Sequence, residues 1–420
     1  MSFRDLPLEL VTIIVDHFYD DTKSLNLISL VSRPCLAACR THLFKIIRMN
    51  TLNPSFNYKC AFWSAFLKRS SAVLPYVREL ELGPPVFQLC ARDFTMGSSH
   101  WVDVVDSGLP SIHNECVELI LSGATNVHRV ALRFEYQSWK NFSPSFQRAV
   151  VDLIRRDSVS SLTIEDIVAF PIQILSHCRR LRDLSLFCVD STPDEFNPMQ
   201  PPRSVDLKDV PKGCLQSLTL FESDSCITSL ERVLSAPESY LAASNLQRLS
   251  VNMTGSDGQL ALMELSNSAR SITTLELRYK YCDLTGFTSL RTLFISISYY
   301  SCYRPLQALA LFFTKFRSTS HLTELSILLR LEVENSDRSS PSSQELTRIC
   351  SSKDWQLVQQ SLVLSHSFLL LNKLNIVFRP RDVATITSDY LNLSLHLCLL
   401  QSMPNLYALT NPTIKIHDGA

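Results

Sequence analysis

The sequence predicts an α/β solenoid: a small N-terminal module of three helices, followed by an irregular array of strand-and-helix units that share a curved parallel sheet. Three observations predict it. A six-residue pattern (apolar, two variable, apolar, one variable, apolar) recurs ten times in order from residue 77 onward. Segments with the apolar spacing of a helix face lie between copies. The first fifty residues hold three short apolar segments divided by residues that cap or break helices.

The copies are Val77-Leu80-Leu82, Val127-Val130-Leu132, Val159-Leu162-Ile164, Leu181-Leu184-Leu186 and Leu215-Leu218-Leu220. They continue as Leu246-Leu249-Val251, Ile272-Leu275-Leu277, Leu290-Leu293-Ile295, Leu322-Leu325-Ile327 and Leu371-Leu374-Ile376, with a fragment expected from Leu406. The last two apolar positions of each copy alternate as a strand requires, so both point to one side of a sheet. Between copies, Phe146, Val150, Leu153 and Ile154 form one helix face. Ile227, Leu230, Val233 and Leu234 form another, and Leu306, Leu309, Phe312 and Phe313 a third. One copy means little, because any amphipathic strand matches it. Ten in order, each followed by a helix or a loop, describe a repeat array. The spacing is irregular: the starts lie 18 residues apart between Ile272 and Leu290 and 50 apart between Val77 and Val127. The rival is a doubly wound α/β domain, whose strands are buried on both faces and read as continuous apolar runs. Here alternate strand positions are polar, and glycine-rich crossover turns are absent.

At the N-terminus, Leu10, Ile13, Ile14, His17 and Phe18 have helical spacing, and Pro7 suits a first helical turn. Asp20-Asp21-Thr22 provides a break and a cap. Leu25, Leu27, Ile28, Leu30 and Val31 form the second segment. Ser32-Arg33-Pro34 stops it and opens a third helix presenting Leu36, Cys39, Arg40, Leu43 and Phe44. Three short helices make a small core. So many apolar residues on them suggest a partner, although periodicity alone leaves an N-terminal cap equally open.

These residues carry a resemblance. Leu6-Pro7-Leu8-Glu9-Leu10, Ile13-Ile14, Ser24-Leu25, Ser29-Leu30-Val31-Ser32-Arg33, Arg40 and His42-Leu43-Phe44 together resemble an F-box, in particular the variant abundant in mushroom-forming fungi. The likeness covers about residues 3 to 48. Where that family usually carries a tryptophan, Cys35 stands here, preceded by Pro34. The copies that follow resemble the degenerate leucine-rich repeats found behind F-boxes, most of them without the asparagine that regular members hold after the strand. The domains expected are an F-box at 1–50, a helical linker or cap at 51–76, and a leucine-rich-repeat-like solenoid at 77–420. The resemblance implies docking to the SKP-family adaptor, and through it to a cullin scaffold. The contact residues would be Leu6, Pro7, Leu10, Ile14, Leu30, Val31, Leu43 and Phe44. It implies the substrate-recognition subunit of an SCF-type ubiquitin ligase, with an unknown target protein on the repeats. The alternative is a repeat scaffold without a ligase role.

Composition narrows the rest. Forty basic residues balance forty acidic ones, so no global charge argues for nucleic acid or an anionic membrane. Thirteen cysteines, an odd number without a CxxC pair, read as buried thiols of a cytoplasmic or nuclear protein. No secretory signal is visible, and the most apolar stretch, Ser361 to Phe378, is broken by His366, Asn372 and Lys373. Nine glycines in 420 residues disfavour phosphate-cradling loops. GxSxG, GxxxxGK[ST] and HExxH motifs are missing, so neither enzyme activity nor a cofactor is expected. Cys35 and Cys39 share a helix face with no third ligand nearby, which argues against zinc. His177-Cys178 reads as a packed repeat cysteine beside an exposed histidine rather than a catalytic pair. Insertions at 83–113, 188–213 and 332–344 read as loops.

A target-binding face can also be placed. The column after the third apolar position reads Gly83, Arg133, Glu165, Phe187, Phe221, Asn252, Arg278, Ser296, Leu328 and Val377. Phe187 and Phe221, with Phe294 one column away, have the composition of a binding hot spot, and Arg133 and Arg278 would contact an acidic or phosphorylated segment. In the competing reading, the proline-rich insertion after Phe187 folds back over both rings.

Overall fold

The computed structural model describes residues 6–50, 56–83, 115–191, 215–236, 239–252, 256–278, 286–299, 305–315, 322–331, 353–364, 370–380 and 413–416, with the single residues 284, 368, 397, 399–401, 403, 404 and 410. The chain divides into two compact units, Met1–Cys214 and Leu215–Ala420. The described residues hold twelve strands.

The first unit opens with α1 (Leu8–Asp16), α2 (Thr22–Ser29) and α3 (Arg33–Leu43). Pro7 caps α1 with an extended backbone. The Asp21 side chain accepts from the backbone N–H groups of Lys23 and Ser24 and so starts α2. Those bonds and one from the Ser24 hydroxyl hold the Asp21 carboxyl below the ordinary range. Ser32 accepts from the Cys35 N–H at the head of α3, with proline in the first turn. Then come β1 (Ile46–Met49), α4 (Phe56–Arg69), a 3-10 turn (Ser71–Tyr76) and β2 (Glu79–Leu82). After them run α5 (Glu115–Gly123), β3 (Arg129–Ser138), a short 3-10 turn (Trp139–Asn141), α6 (Pro144–Ile154), β4 (Ser161–Val168), a further 3-10 turn (Ile172–His177) and β5 (Asp183–Val189). All five strands are parallel and pair in chain order.

The second unit holds β6 (Ser217–Phe221), α7 (Asp224–Ser235), β7 (Arg248–Asn252), α8 (Ser256–Ser268) and β8 (Thr274–Arg278). It continues with β9 (Thr292–Tyr299), α9 (Pro305–Lys315), β10 (Glu324–Leu331), α10 (Asp354–Leu364), β11 (Lys373–Pro380) and β12 (Thr413–Ile416). Its seven strands are likewise parallel and in chain order. A doubly wound sheet reverses its order at a switch point. Neither unit has such a reversal among its described strands.

The register explains why the leucine pattern folds this way. Leu80, Val130, Leu162 and Leu184 stand opposite one another on successive strands. In the second unit Leu218, Leu249, Leu275, Leu293, Leu325 and Leu374 do the same. Every apolar position of the ten copies is buried. A one-residue slip would turn these rows to the other face, so burial fixes the pairing. The backbone repeats as well. The Lys45 carbonyl accepts from both Arg78 and Glu79, the Arg78 carbonyl from His128 and Arg129, and the His128 carbonyl from Ser160 and Ser161. The equivalent carbonyls of Gln216, Gln247, Thr273, Arg291 and Thr323 each accept two consecutive N–H groups in the same manner. The expected faces of α6, α7 and α9 are all buried.

The sheet begins earlier than residue 77. Ile47 pairs with Leu80 and Met49 with Leu82, which makes Phe44-Ile47-Met49 a further copy of the six-residue pattern. Helix α4 and the 3-10 turn, at the expected linker, form the connection between β1 and β2. At the other end, β12 puts Ile414 opposite Ile376, and the fragment expected from Leu406 lies outside the described residues. So do nearly all residues of the three expected insertions. Gly83 follows β2 with φ +115°, and a Cβ there would collide with the backbone of Arg133, so this position takes glycine for both reasons.

Candidate docking surfaces

The three N-terminal helices bury few side chains, and small ones. Their core is Val11, Val15, Leu25, Cys35, Ala38 and Cys39, flanked by the partly buried Leu6, Ile28 and Leu43. Helix α3 packs against both α1 and α2, and His42 Nε2 lies 2.8 Å from Asp16 Oδ1 between α3 and α1. Larger apolar side chains point outward. Leu8, Leu10, Ile13, Phe18, Tyr19, Leu27, Leu30 and Val31 are exposed, Leu27 at 69% and Leu30 at 83%. A module that shows more large apolar groups to solvent than it buries has the surface of a docking element.

The stripe Leu10, Ile13, Ile14, His17 and Phe18 therefore does not form the internal face of α1, since Val11 and Val15 do. Of the expected contact residues, Pro7, Leu10, Leu30 and Val31 are exposed and Ile14 is half-buried. Leu6 and Leu43 pack on the internal core. Phe44 stacks on Phe66 of α4 with ring centroids 5.9 Å apart. Leu8, Ile13 and Leu27, named in the apolar segments but not among the expected contact residues, also belong to the outward set. Leu27 carried a signal, lying one helical turn before Leu30. Cys35 is fully buried, and its sulfur lies 3.0 Å from the Ser32 hydroxyl that donates to it. Burial and the neighbouring Cys35 push the Cys39 thiol up from its ordinary value.

The second surface is the column after the third apolar position. Arg133 faces Glu165, and Glu165 faces Phe187. In the other unit Phe221 faces Asn252, Asn252 faces Arg278, and Arg278 faces Ser296. The expected column is thus a register column. Arg133, expected as a surface cation, is only 5% exposed, and its Nε donates to Glu165 Oε2 at 2.9 Å. Burial raises the Glu165 carboxyl above its ordinary value against the pull of Arg133, and the nearby Glu81 adds to the rise. Asn252 and Ser296 are buried. Phe187, Phe221 and Phe294 are half-buried. The Arg278 side chain lies outside the described ones.

Next to this column several strands carry a strained residue, and in β3, β4 and β5 pairing resumes after it at Gln137, Ile167 and Val189. Asp166, Cys188 and Glu222, each two residues past the third apolar position, have φ of 54°, 50° and 48°. Tyr136 (φ 63°) is their register equivalent, because β3 carries two extra residues between Arg133 and Gln137. Non-glycine residues adopt this conformation at a cost. Its recurrence at equivalent positions of β3, β4 and β5 and just after β6 marks it as a shared kink of these strands rather than as an isolated catalytic strain. Burial raises the Tyr136 phenol, as do Asp166 and Cys188, both hydrogen-bonded to it.

Elsewhere, Cys178 is buried with its thiol pushed up to about 12 by burial, and it donates to the Ile154 carbonyl. Such a thiol is a poor nucleophile. The adjacent His177 is half-buried rather than exposed, and burial together with Arg155 lowers its pKa. Among the described residues no group of three or more His, Cys, Asp or Glu is placed to hold a metal ion. No described helix is long and apolar enough to cross a membrane.

No protein-family model matches the chain, and no curated protein matches it significantly in sequence.

Proposed function

We propose that this chain is an F-box protein with a leucine-rich-repeat solenoid, the substrate-recognition subunit of an SCF-type ubiquitin ligase. The helical module docks to an SKP-family adaptor, a cullin scaffold joins through that adaptor, and the repeats hold a target protein. The chemistry belongs to the partners. One observation carries the reading: α1, α2 and the turn after α2 leave Leu10, Leu27, Leu30 and Val31 in solvent while a core of mostly small side chains holds the three helices together. The recurring register and the doubly accepting carbonyls support repeats behind the module. The compartment that fits is the cytoplasm or nucleus. A second reading, an interaction scaffold without a ligase role, draws on Cys35, which fills an internal position where the family presents a tryptophan.

The test uses the full chain and a purified adaptor. Leu30→Asp with Val31→Asp puts two charges on the outward face and removes nothing from the core. The double variant should lose adaptor binding in a pull-down and keep its thermal transition, because exposed substitutions change stability little. Full binding by that variant would leave the scaffold reading standing.

A further inference from the structure

Helix α4 has a second face that is left uncovered among the described residues. Its inward side chains are Cys60 and Leu67, both buried, with Trp63 and Ser64 half-buried. This side meets α5, where the Cys116 and Cys60 thiols, both free, are hydrogen-bonded to each other. The opposite side exposes Tyr58, Ala61, Phe62, Ala65 and Arg69, at spacings of three and four residues along one stripe. Tyr58 is 76% and Phe62 61% exposed. Phe62 stacks on Phe66 at 6.3 Å, and Phe66 stacks in turn on Phe44. Two exposed aromatic knobs beside two alanines match the large-and-small relief that a second helix packs into.

Charge decides which helix. Helix α4 carries Lys59, Lys68 and Arg69 and no acidic residue, in a chain that is neutral overall. Lys59 and Arg69 are exposed. A second copy of the same face brings only further cations and no carboxylate to meet them. That like-charge contact opposes self-association. We propose that the Tyr58–Phe62 face of α4 is a docking site for an amphipathic helix of a partner protein whose apolar stripe is edged with carboxylates. The two rings fill its apolar stripe, and Lys59 and Arg69 meet its acidic edge. The proposal does not rest on the ligase reading, because this surface is aromatic and basic whereas that of α1 and α2 is aliphatic.

The test titrates the full chain with a synthetic helix of about twenty residues built from leucine, alanine and glutamate, and with its lysine counterpart. Trp63, beside Phe66 on α4 at 5.7 Å, is the fluorescence reporter. The acidic peptide should bind with an affinity that falls as salt rises, and the lysine peptide should not bind. Tyr58→Ala with Phe62→Ala should weaken binding by about tenfold or more, the scale of an interface anchor. Lys59→Glu with Arg69→Glu should reverse the preference to the lysine peptide. Leu30→Asp with Val31→Asp should leave binding unchanged, which separates this site from the aliphatic one. Equal binding of both peptides, or indifference to the Tyr58 and Phe62 changes, overturns the proposal. A concentration-dependent dimer abolished by Phe62→Ala also overturns it, in favour of self-association.

Discussion

Removing the Arg133 guanidinium leaves the Glu165 carboxylate buried without its cation. Breaking a buried pair on one side costs about 3–5 kcal/mol, whereas replacing both members by apolar groups is close to neutral. Arg133→Ala should therefore lower stability to urea by about that amount, and Arg133→Met with Glu165→Met should recover most of it. The pH dependence has a definite sign. The Glu165 carboxyl is raised above its unfolded value, so the fold holds that proton more tightly than the unfolded chain does. Its contribution is fully present below the unfolded value and is lost as pH rises through the folded one. Without Arg133 the folded value rises further. The deficit of Arg133→Ala should thus shrink as pH falls from neutral toward the ordinary carboxylate range, and a deficit that grows there would refute this assignment. The pair was nearly legible in the sequence, since opposite charges stand at one column position on consecutive copies. What the sequence concealed is that the column sinks into the protein at this point, because the two extra residues in β3 have no signature in the apolar pattern.

Among the elements, the strands were the most legible. Strand residues alternate between a buried row and a polar row, and each buried leucine meets its counterpart in the next copy. Helix α1 was less so, for it is apolar nearly all round: Leu10, Ile13 and Ile14 have helical spacing, and so do Val11 and Val15. Periodicity shows that a face exists but not which of two faces a partner covers. Strand β1 was missed for a related reason. Phe44 fits the end of the helical motif and equally the first position of a six-residue copy, and only the pairing of Ile47 with Leu80 reveals the second role. A prediction separates the two. If Phe44 belongs to the sheet unit, Phe44→Ala removes its stack on Phe66 and destabilises the fold by about 2 kcal/mol, less than a full core truncation because the ring is half-buried. If it serves docking alone, binding falls and the thermal transition stays where it was. Chemical denaturation beside a pull-down measures both.

For the whole molecule, the strand order sets how stability is shared. Within each unit every strand pairs only with its neighbours in sequence, so contacts are local and coupling passes from one copy to the next. Such an array need not unfold as one cooperative body. Two buried tryptophans report on the two units: Trp139 in the first and Trp355 in the second. Leu218 is fully buried on β6, opposite Leu249 on β7. Leu218→Ala should cost about 2–5 kcal/mol, the range for a leucine lost from a packed core. Local coupling requires that loss to fall on the second unit. In a chain whose other tryptophans are replaced by phenylalanine, the Trp355 transition should move to lower urea while the Trp139 transition moves far less. The reverse holds for Leu162→Ala on β4, which should shift Trp139 ahead of Trp355. If both reporters move together for either change, the array unfolds as a single body. The nearest-neighbour account would then be wrong, and the stability of any one copy would depend on every copy in the array rather than on its neighbours alone.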